Sequence, residues 1–132
     1  SHILIVNKEK LLLQKRSKTL QYPGFWTSSA SGHVDAGEDY ETAARRELME
    51  EIGVAAELMP AFVVRKFTGK DNELIHVFVG RHDGPFELNG EVEKVEFFTL
   101  DEIKEMLNGQ NFTPGSRIIL SRIVGEPSVI GL

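Results

Sequence analysis

Short runs of hydrophobic residues, several with alternating polar positions, are separated along this chain by polar, glycine and proline residues. This pattern is typical of half-buried and buried β-strands. It predicts five strands, at residues 3–6, 10–16, 55–68, 73–81 and 94–98. The turn between the third and fourth strands is expected at Gly69–Asn72. Residues 20–31, which include Pro23, Gly24 and several hydroxyl side chains, predict a loop or irregular extended stretch.

Three helices are predicted among these strands. The first spans residues 39–52, with Asp39 as its N-cap and Gly53 at the position of a C-terminal glycine. The second spans residues 101–107, and the third runs from an N-cap at Thr113 through Ile123. The predicted order β-β-α-β-β-β-α-α indicates an α+β fold and lacks the regular alternation of a doubly wound sheet.

Length and composition predict one globular domain over residues 1–132. The chain is 41% hydrophobic and 27% charged, which is enough for a single core. Its first residues fall inside a predicted strand and do not resemble a signal peptide. No apolar run approaches the length of a membrane span, so we expect no membrane association.

Charge and cysteine content exclude several function classes. The chain has no cysteine, which excludes disulfides, thiolate nucleophiles and cysteine-based zinc sites, and this fits a cytoplasmic protein. The formal net charge of -5 gives no support to nucleic-acid binding, which normally depends on a basic face. An acidic protein that binds phosphates has to neutralise them locally, and a divalent cation is one means of doing so.

The predicted helix at 39–52 carries the candidate chemistry. At helical spacing, one apolar stripe is formed by Tyr40, Ala44, Leu48 and Ile52. Glu47, Glu50 and Glu51 are spaced i, i+3 and i+4, so their side chains are neighbours beside that stripe. At a separation of about 6 Å and an effective dielectric of about 20, each like-charged pair costs roughly 2 to 3 kcal/mol.

Such a row is explained either by solvent or by a cation. A glutamate-rich helix face is usually only a solvated face, but Mg²⁺ prefers carboxylate and water oxygens. Arg46 is expected to pair with Glu38 or Glu50 and to hold the geometry of the row. Gly32 allows close backbone approach, and its carbonyl oxygen is a further candidate ligand.

The spacing of the residues around this row, from Gly32 to Val54, favours a bound cation over a merely solvated helix face. Gly32, five residues, Glu38, seven residues and then the segment Arg46–Val54 (RELMEEIGV) form a complete Nudix box. The chain therefore resembles the Nudix hydrolase family, and the order of its elements resembles that family over nearly the whole length. The resemblance implies a mixed sheet sandwiched between helices.

The resemblance also implies an activity. Nudix enzymes hydrolyse a diphosphate linkage by attack of water on phosphorus, which implies that Glu47, Glu50 and Glu51 bind one to three Mg²⁺ ions, with Mn²⁺ as a substitute. The metal cancels charge on the diphosphate and activates water. The general base differs between subfamilies, so Glu50, Glu47 and Glu91 are all candidates, and Arg46 supports the catalytic group. Glu91 and its neighbour Glu93 are equally explained as loop charges.

A second resemblance is to the isopentenyl-diphosphate isomerase branch of the family. It is carried by the segments LLLQKRS, PGFWTSSASGHVDAGE, DNELIHVFVGR and FTP. Isomerases of that branch have a proton-shuttling cysteine where this chain has Ser31, and a serine hydroxyl is far less acidic than a thiol. Their upstream metal-binding histidines also lie before the first residue of this chain.

Other residues match the isomerase pattern. Trp26 lies where an aromatic ring shields the reacting carbon, His33 matches a metal-binding histidine, and Glu73 matches the second catalytic acid. Each has a structural alternative: a core position for Trp26, loop hydrogen bonding for His33 and a polar strand edge for Glu73. Arg16 is a candidate phosphate ligand or a solvated strand end.

Three functions follow from these patterns. The first is a Mg²⁺-dependent hydrolase of a small nucleoside-diphosphate-type or other diphosphate compound; the others are a diphosphate isomerase and a non-catalytic diphosphate sensor. The retained box glutamates argue against the sensor, and the missing cysteine argues against the isomerase. Phe25 and Trp26 are candidates to stack on a base or to line an apolar slot. A two-fold homodimer is the commonest assembly for such a protein, although no sequence feature identifies an interface.

Overall fold

A computed structural model describes residues 1–18, 21–68 and 71–132 of the chain. These residues form seven strands and three helices, and a short 3₁₀ helix follows at Pro127–Ile130. The strands are β1 His2–Asn7, β2 Lys10–Arg16, β3 Trp26–Thr27, β4 Ala30–Ser31, β5 Met59–Thr68, β6 Asp71–Arg81 and β7 Val92–Thr99. The helices are α1 Tyr40–Ile52, α2 Leu100–Gly109 and α3 Pro114–Gly125.

The strands form one mixed sheet with β1 near its centre. The path of hydrogen-bonded neighbours is β3-β2-β1-β6-β5, while β7 pairs with β2 and β4 pairs with β1. The pairing of β1 with β6 is parallel, and its pairings with β2 and β4 are antiparallel. The predicted mixed sheet of an α+β fold is therefore confirmed.

Alternation along the central strands divides the core into two layers. In β1, Ile3 and Ile5 pack in the layer that contains α1, whereas Leu4 and Val6 pack in the layer that contains residues of α2 and α3. Because successive side chains of a strand point to opposite faces, the sheet is covered by helices on both sides. This is the sandwich that the sequence predicted.

Two of the predicted boundaries are corrected. The third strand begins at Met59 and not at residue 55, because residues 56–58 cross close over Gly80 and leave the ladder. A side chain at Gly80 would come within 2.8 Å of the Leu58 side chain. In the predicted turn at 69–72, residues 71 and 72 belong to β6, while residues 69 and 70 lie outside the described residues.

The loop predicted at 20–31 contains the two-residue strands β3 and β4 in its described part. Its first residue lies outside the described residues. Each short strand extends a ladder of a longer strand, β3 on β2 and β4 on β1. These pairings place the loop beside the start of α1.

The helices differ from prediction in detail. In α1 the predicted stripe is buried at Ala44, Leu48 and Ile52, but Tyr40 is 41% exposed and its ring stacks on His76. Thr113 precedes α3 as predicted, but its hydroxyl donates to the Thr27 hydroxyl and does not cap the helix. None of the helices in the described ranges is long and apolar enough to span a membrane.

Candidate active site

Helix α1 is fixed at both ends and presents Glu47 and Glu51 toward the loop that precedes it. At the start, the Thr42 backbone N–H donates to the Asp39 carboxylate at 2.7 Å. At the end, Gly53 adopts the left-handed conformation with a φ of 69°. The predicted N-cap and terminating glycine are therefore confirmed.

Arg46 connects the acidic residues of the site. Its guanidinium donates to both carboxylate oxygens of Glu38, at 2.8 and 3.0 Å. It donates to Glu47 at 2.7 Å and reaches Glu50 at 3.4 Å. The predicted pairing of Arg46 with Glu38 and Glu50 is thus confirmed. The hydrogen bond from Arg46, followed by that from the Asp35 backbone, lowers the pKa of Glu38 to about 2.

Gly32 lies directly against the Glu47 carboxylate. A β-carbon at Gly32 would overlap that carboxylate, so the close approach requires a glycine. The Gly32 carbonyl oxygen accepts a hydrogen bond from the Ser1 amine at 2.8 Å. Its role as a metal ligand stays a prediction.

Glu51, the last of the three glutamates in the acidic row, is buried, with only 5% of the residue exposed. The Gln14 side chain donates to it at 2.9 Å, and the Ser31 backbone N–H lies at 3.4 Å. Burial, followed by a hydrogen bond with Glu47, raises the pKa of Glu51 well above its ordinary value. The carboxyl groups of Glu51 and Glu47 thus lie next to each other, and the buried one favours its neutral form.

This donor set fits a hard divalent cation. The carboxyl groups of Glu47 and Glu51 interact, Gly32 lies against Glu47, and Glu50 stands one turn from Glu47 with its side chain 55% exposed. Among the described residues, no three acidic or imidazole groups already converge as a metal cage. Binding a cation would therefore replace the hydrogen bond that Glu47 and Glu51 share.

Glu91 lies in the loop that returns to the end of α1. Backbone N–H groups of that loop, from Glu87 and Asn89, donate to the Ile52 and Glu51 carbonyls at 2.9 and 3.1 Å. Glu91 itself is exposed, and its backbone N–H is held by the Asn89 side chain. The loop is near the acidic row, and the role of Glu91 as base stays a prediction.

A polar cavity of about 290 Å³ lies beside the row. It contains four of the predicted site residues, Arg16, Gly32, His33 and Glu73. The rest of its wall is made by His2, Gln21, Tyr22, Thr27, Ser31, Lys66, Ile75, Thr113, Pro114 and Gly115. Lys66 and Glu73 face each other across β5 and β6, with Nζ and a carboxylate oxygen 3.5 Å apart.

The two aromatic candidates lie outside the described wall of this cavity. Trp26 is 7% exposed and packs edge-to-face on Phe98 in the core, with ring centroids 5.3 Å apart. The Phe25 ring contacts Tyr22 at a centroid distance of 5.4 Å. The aromatic ring in the wall is Tyr22, so the substrate roles of Phe25 and Trp26 stay predictions.

Three wall residues with a charged or aromatic side chain were not chosen as site residues from the sequence: His2, Tyr22 and Lys66. His2 lies at the start of the chain and Lys66 in its middle, and the pairings of β1 with β6 and of β6 with β5 bring them together. Tyr22 lies in the Tyr-Pro-Gly segment just before Phe25 and Trp26, the two aromatic residues chosen from the sequence, and this position could have identified it. It has a φ of 56°, which turns the loop into the cavity wall.

Comparisons with known proteins agree with this geometry. The model of the NUDIX domain family matches residues 1–118. An isopentenyl-diphosphate Delta-isomerase of Pectobacterium atrosepticum is 32% identical over 126 residues, covering 89% of this chain and 70% of the relative. Another, from Aromatoleum aromaticum, is 37% identical over 107 residues, covering 76% of this chain and 60% of the relative. The chain thus spans well under the full length of both.

Among solved structures, a MutT Nudix hydrolase from Burkholderia pseudomallei is similar in fold and sequence. The TM-score is 0.76 at 27% identity, over 92% of this chain and 94% of that one. The family match extends over the sheet, the acidic helix and the cavity wall up to the middle of α3. On these grounds, together with the complete box from Gly32 to Val54, this chain belongs to the Nudix family.

Proposed function

We propose that this chain is a divalent-cation-dependent hydrolase that cleaves a diphosphate linkage in a small molecule. The observation that carries the proposal is the Glu47–Glu51 carboxyl pair, held by Arg46 and Gln14 beside a polar cavity whose wall includes Arg16 and Lys66. An acidic row next to these cationic side chains suits a cation-bound diphosphate. Mg²⁺, or Mn²⁺ in its place, would cancel diphosphate charge and activate water.

The chain's own residues have separable roles in this proposal. Arg16 and Lys66 in the cavity wall bind phosphate oxygens, and Arg46 fixes the orientation of Glu47. Glu50, with its side chain 55% exposed and at hydrogen-bond reach of Arg46, takes the proton of the attacking water. The water oxygen bonds to phosphorus, the bond from phosphorus to the bridging oxygen breaks, and the leaving phosphate carries that electron pair.

A diphosphate isomerase is the second candidate. It is favoured by the names of the two relatives and by the presence of Ser31 and Glu73 together in the cavity wall. A proton shuttle at carbon requires an acid near the allylic position, and a serine hydroxyl supplies a weak one. The hydrolase is preferred because its proposed steps use residues that this chain has, whereas the isomerases of that branch use a cysteine where this chain has Ser31.

One assay distinguishes the two candidates. The protein is incubated with Mg²⁺ and a panel of nucleotide sugars, dinucleotides, small diphosphate esters and isopentenyl diphosphate in D₂O. Phosphate products are followed by ³¹P NMR, and deuterium incorporation at carbon by ²H NMR. We expect phosphate release that stops with chelator and returns with Mg²⁺. Deuterated dimethylallyl diphosphate without phosphate release would replace the hydrolase by the isomerase.

The variant Glu50→Gln tests the acidic row directly. Loss of the carboxylate is expected to lower kcat by about 10²- to 10⁴-fold while the protein stays folded by circular dichroism. Glu105→Gln, on the exposed face of α2, is the matched control and should keep parental activity. Parental turnover by Glu50→Gln would remove the role assigned to the row, and failure of the whole panel with metal bound would favour a sensor.

A further inference from the structure

Gln14 of β2 is a buried polar residue between the sheet and the acidic helix. It is 2% exposed, and Leu12 on the same face of the strand belongs to the core layer that contains α1. The Gln14 side-chain nitrogen donates to the Ser29 backbone carbonyl at 3.0 Å and to Glu51 Oε1 at 2.9 Å. A buried amide is costly unless it is hydrogen-bonded, so these two bonds hold the side chain in place.

The Ser29 carbonyl fixes the orientation of the Gln14 amide. A backbone carbonyl oxygen only accepts hydrogen bonds, so the amide atom beside it has to be the nitrogen. The second N–H of that nitrogen is then directed at Glu51. Ser29 is itself tied to the sheet, because its hydroxyl accepts from the Ile5 backbone N–H at 2.9 Å and donates to the Leu12 carbonyl. The donor that faces Glu51 is therefore set by the backbone of the sheet and its adjoining loop.

The protein occupies one of the two oxygens of the Glu51 carboxyl group. Oε1 accepts from Gln14 at 2.9 Å and from the Ser31 backbone N–H at 3.4 Å. A carboxylate oxygen has two lone pairs, so two donors use its whole capacity. Glu51 therefore has only Oε2 to offer to a cation.

A carboxylate that offers one oxygen suits Mg²⁺ better than Ca²⁺. Mg²⁺ takes six ligands in a near-ideal octahedron at about 2.0–2.1 Å, whereas Ca²⁺ takes six to eight oxygens at about 2.3–2.6 Å and accepts both oxygens of one carboxylate. To bind Ca²⁺ through both oxygens, Glu51 would have to break its hydrogen bond with Gln14. Gln14 and Glu51 are 2% and 5% exposed, so bulk water does not readily replace that donor.

We propose that Gln14 is a positioning residue that restricts Glu51 to one ligand oxygen and thereby favours Mg²⁺ over Ca²⁺ at the acidic row. Gln14 acts through Glu51 and contacts neither the cation nor the substrate. This inference rests on the proposed function, because it takes Glu51 as one of the residues that hold the cation.

The variant Gln14→Met removes the hydrogen-bond donor and keeps the length of a buried side chain. Loss of a hydrogen bond to a metal ligand is expected to weaken Mg²⁺ binding by about 10-fold or more. Ca²⁺ binding should weaken much less, because the released Glu51 can turn and present both oxygens. We therefore expect the ratio of the Ca²⁺ Kd to the Mg²⁺ Kd to fall by about tenfold.

Competition against Mn²⁺ measures this ratio without turnover. Mn²⁺ is bound to the protein in the absence of substrate, and Mg²⁺ or Ca²⁺ is added while free Mn²⁺ is followed by electron paramagnetic resonance. Glu51→Gln should weaken Mn²⁺ binding by about 10-fold or more, which locates the displaced ion at the row. Mn²⁺ binding that Glu51→Gln leaves unchanged would overturn the inference.

Ser29→Ala is the matched structural control. It removes the hydroxyl that bonds to Ile5 and Leu12 but keeps the backbone carbonyl that accepts from Gln14. It should lower Tm and leave the ratio of the two dissociation constants at its wild-type value. A fall in this ratio of the same size in Ser29→Ala and in Gln14→Met would show general loosening of the core and overturn the role of Gln14.

The remaining outcomes distinguish this inference from the hydrolase proposal. An unchanged ratio in Gln14→Met overturns the role of Gln14 and leaves the hydrolase. A ratio that depends on Gln14, with no member of the diphosphate panel hydrolysed, supports Gln14 and overturns the hydrolase. If Gln14→Met does not fold, Gln14→Asn replaces it, because it keeps a polar amide in the buried position but is one methylene too short to reach Glu51. A wild-type ratio in Gln14→Asn would then count against the inference.

Discussion

Gly32 and Glu47 approach each other so closely that the size of one fixes the position of the other. The Glu47 carboxylate occupies the space where a side chain at Gly32 would begin. Arg46 holds the same carboxylate from the side at 2.7 Å, so its freedom to rotate is small. At the scale of single residues, the site depends on a missing β-carbon as much as on its charged groups.

Gly32→Ala is therefore expected to damage activity more than stability. The new methyl group displaces Glu47, and a displacement of about 1 Å at a catalytic group costs on the order of 10²-fold in rate. Glu47 belongs to neither hydrophobic core cluster, so Tm should change by only a few degrees, to be measured by differential scanning fluorimetry beside kcat/KM. Gly125→Ala, at a position with nothing within 4 Å, is the control. Parental activity in Gly32→Ala would show that the position of Glu47 is not critical.

At the scale of elements, α1 and the loop before it are joined by the pair of Arg46 and Glu38. Glu38 precedes the helix and Arg46 lies in its second turn, so the pair closes residues 38–46 into one unit. The Asp35 backbone N–H also donates to Glu38 at 2.9 Å. This loop contains Gly37 with a φ of 83°, and its conformation positions Gly32 against Glu47.

The stability from this pair should disappear in acid. The folded-state pKa of Glu38 is lowered from 4.5 to about 2, so its contribution is complete above pH 4.5 and is lost as the pH falls toward 2. Glu38→Gln should lower the urea midpoint at pH 7, and its difference from wild type should narrow between pH 4.5 and pH 2.

The matched control for that measurement is Glu41→Gln. Glu41 pairs with Arg45 at 2.8 Å on an exposed face of the same helix, so this variant removes the same charge without opening the loop. It should leave the midpoint nearly unchanged at every pH. A difference between Glu38→Gln and wild type that stays constant down to pH 2 would contradict the role of the ionised pair.

The sequence predicted well those elements that are determined by residues close together in the chain. The span of β2 and the two ends of α1 follow from alternation, from Asp39 and from Gly53, all of which act over a few residues. The short strands β3 and β4 could not be predicted this way, because two residues form a strand only when a distant partner pairs with them. Tyr40 fits the apolar period but lies beyond the edge of the core and stacks on His76.

At the scale of the whole molecule, the acidic row could be predicted from local sequence signals, whereas the cavity could not. The row lies on one helix and was predicted in full, including its arginine. The cavity is formed by β1, the end of β2, β5, β6, the loop at 21–33 and the start of α3, which meet only through the order of strands in the sheet. Sequence spacing therefore located the proposed catalytic groups, and the fold brought His2 and Lys66 into the cavity wall.

The mixed sheet also sets how metal binding couples to folding. Gln14 lies on the same face of β2 as Leu12, toward α1, and donates to the buried Glu51, so the sheet holds one end of the acidic row in place. The unfolded chain has no such arrangement and binds a divalent cation weakly. A cation bound to the folded row is therefore expected to stabilise the entire domain.

Thermal unfolding with increasing Mg²⁺ measures this coupling. At a free concentration of about 100 times Kd, linkage adds about 2.7 kcal/mol, which for a domain of this size raises Tm by roughly 8 °C. Glu50→Gln should lose most of the rise, since it removes one of the three carboxylates that the family resemblance assigns to the cation, while Glu105→Gln keeps it. NaCl at matched ionic strength controls for screening, because general screening of the net charge of -5 would act on all three proteins alike. An equal rise in wild type and Glu50→Gln would place the stabilising cation elsewhere on the molecule.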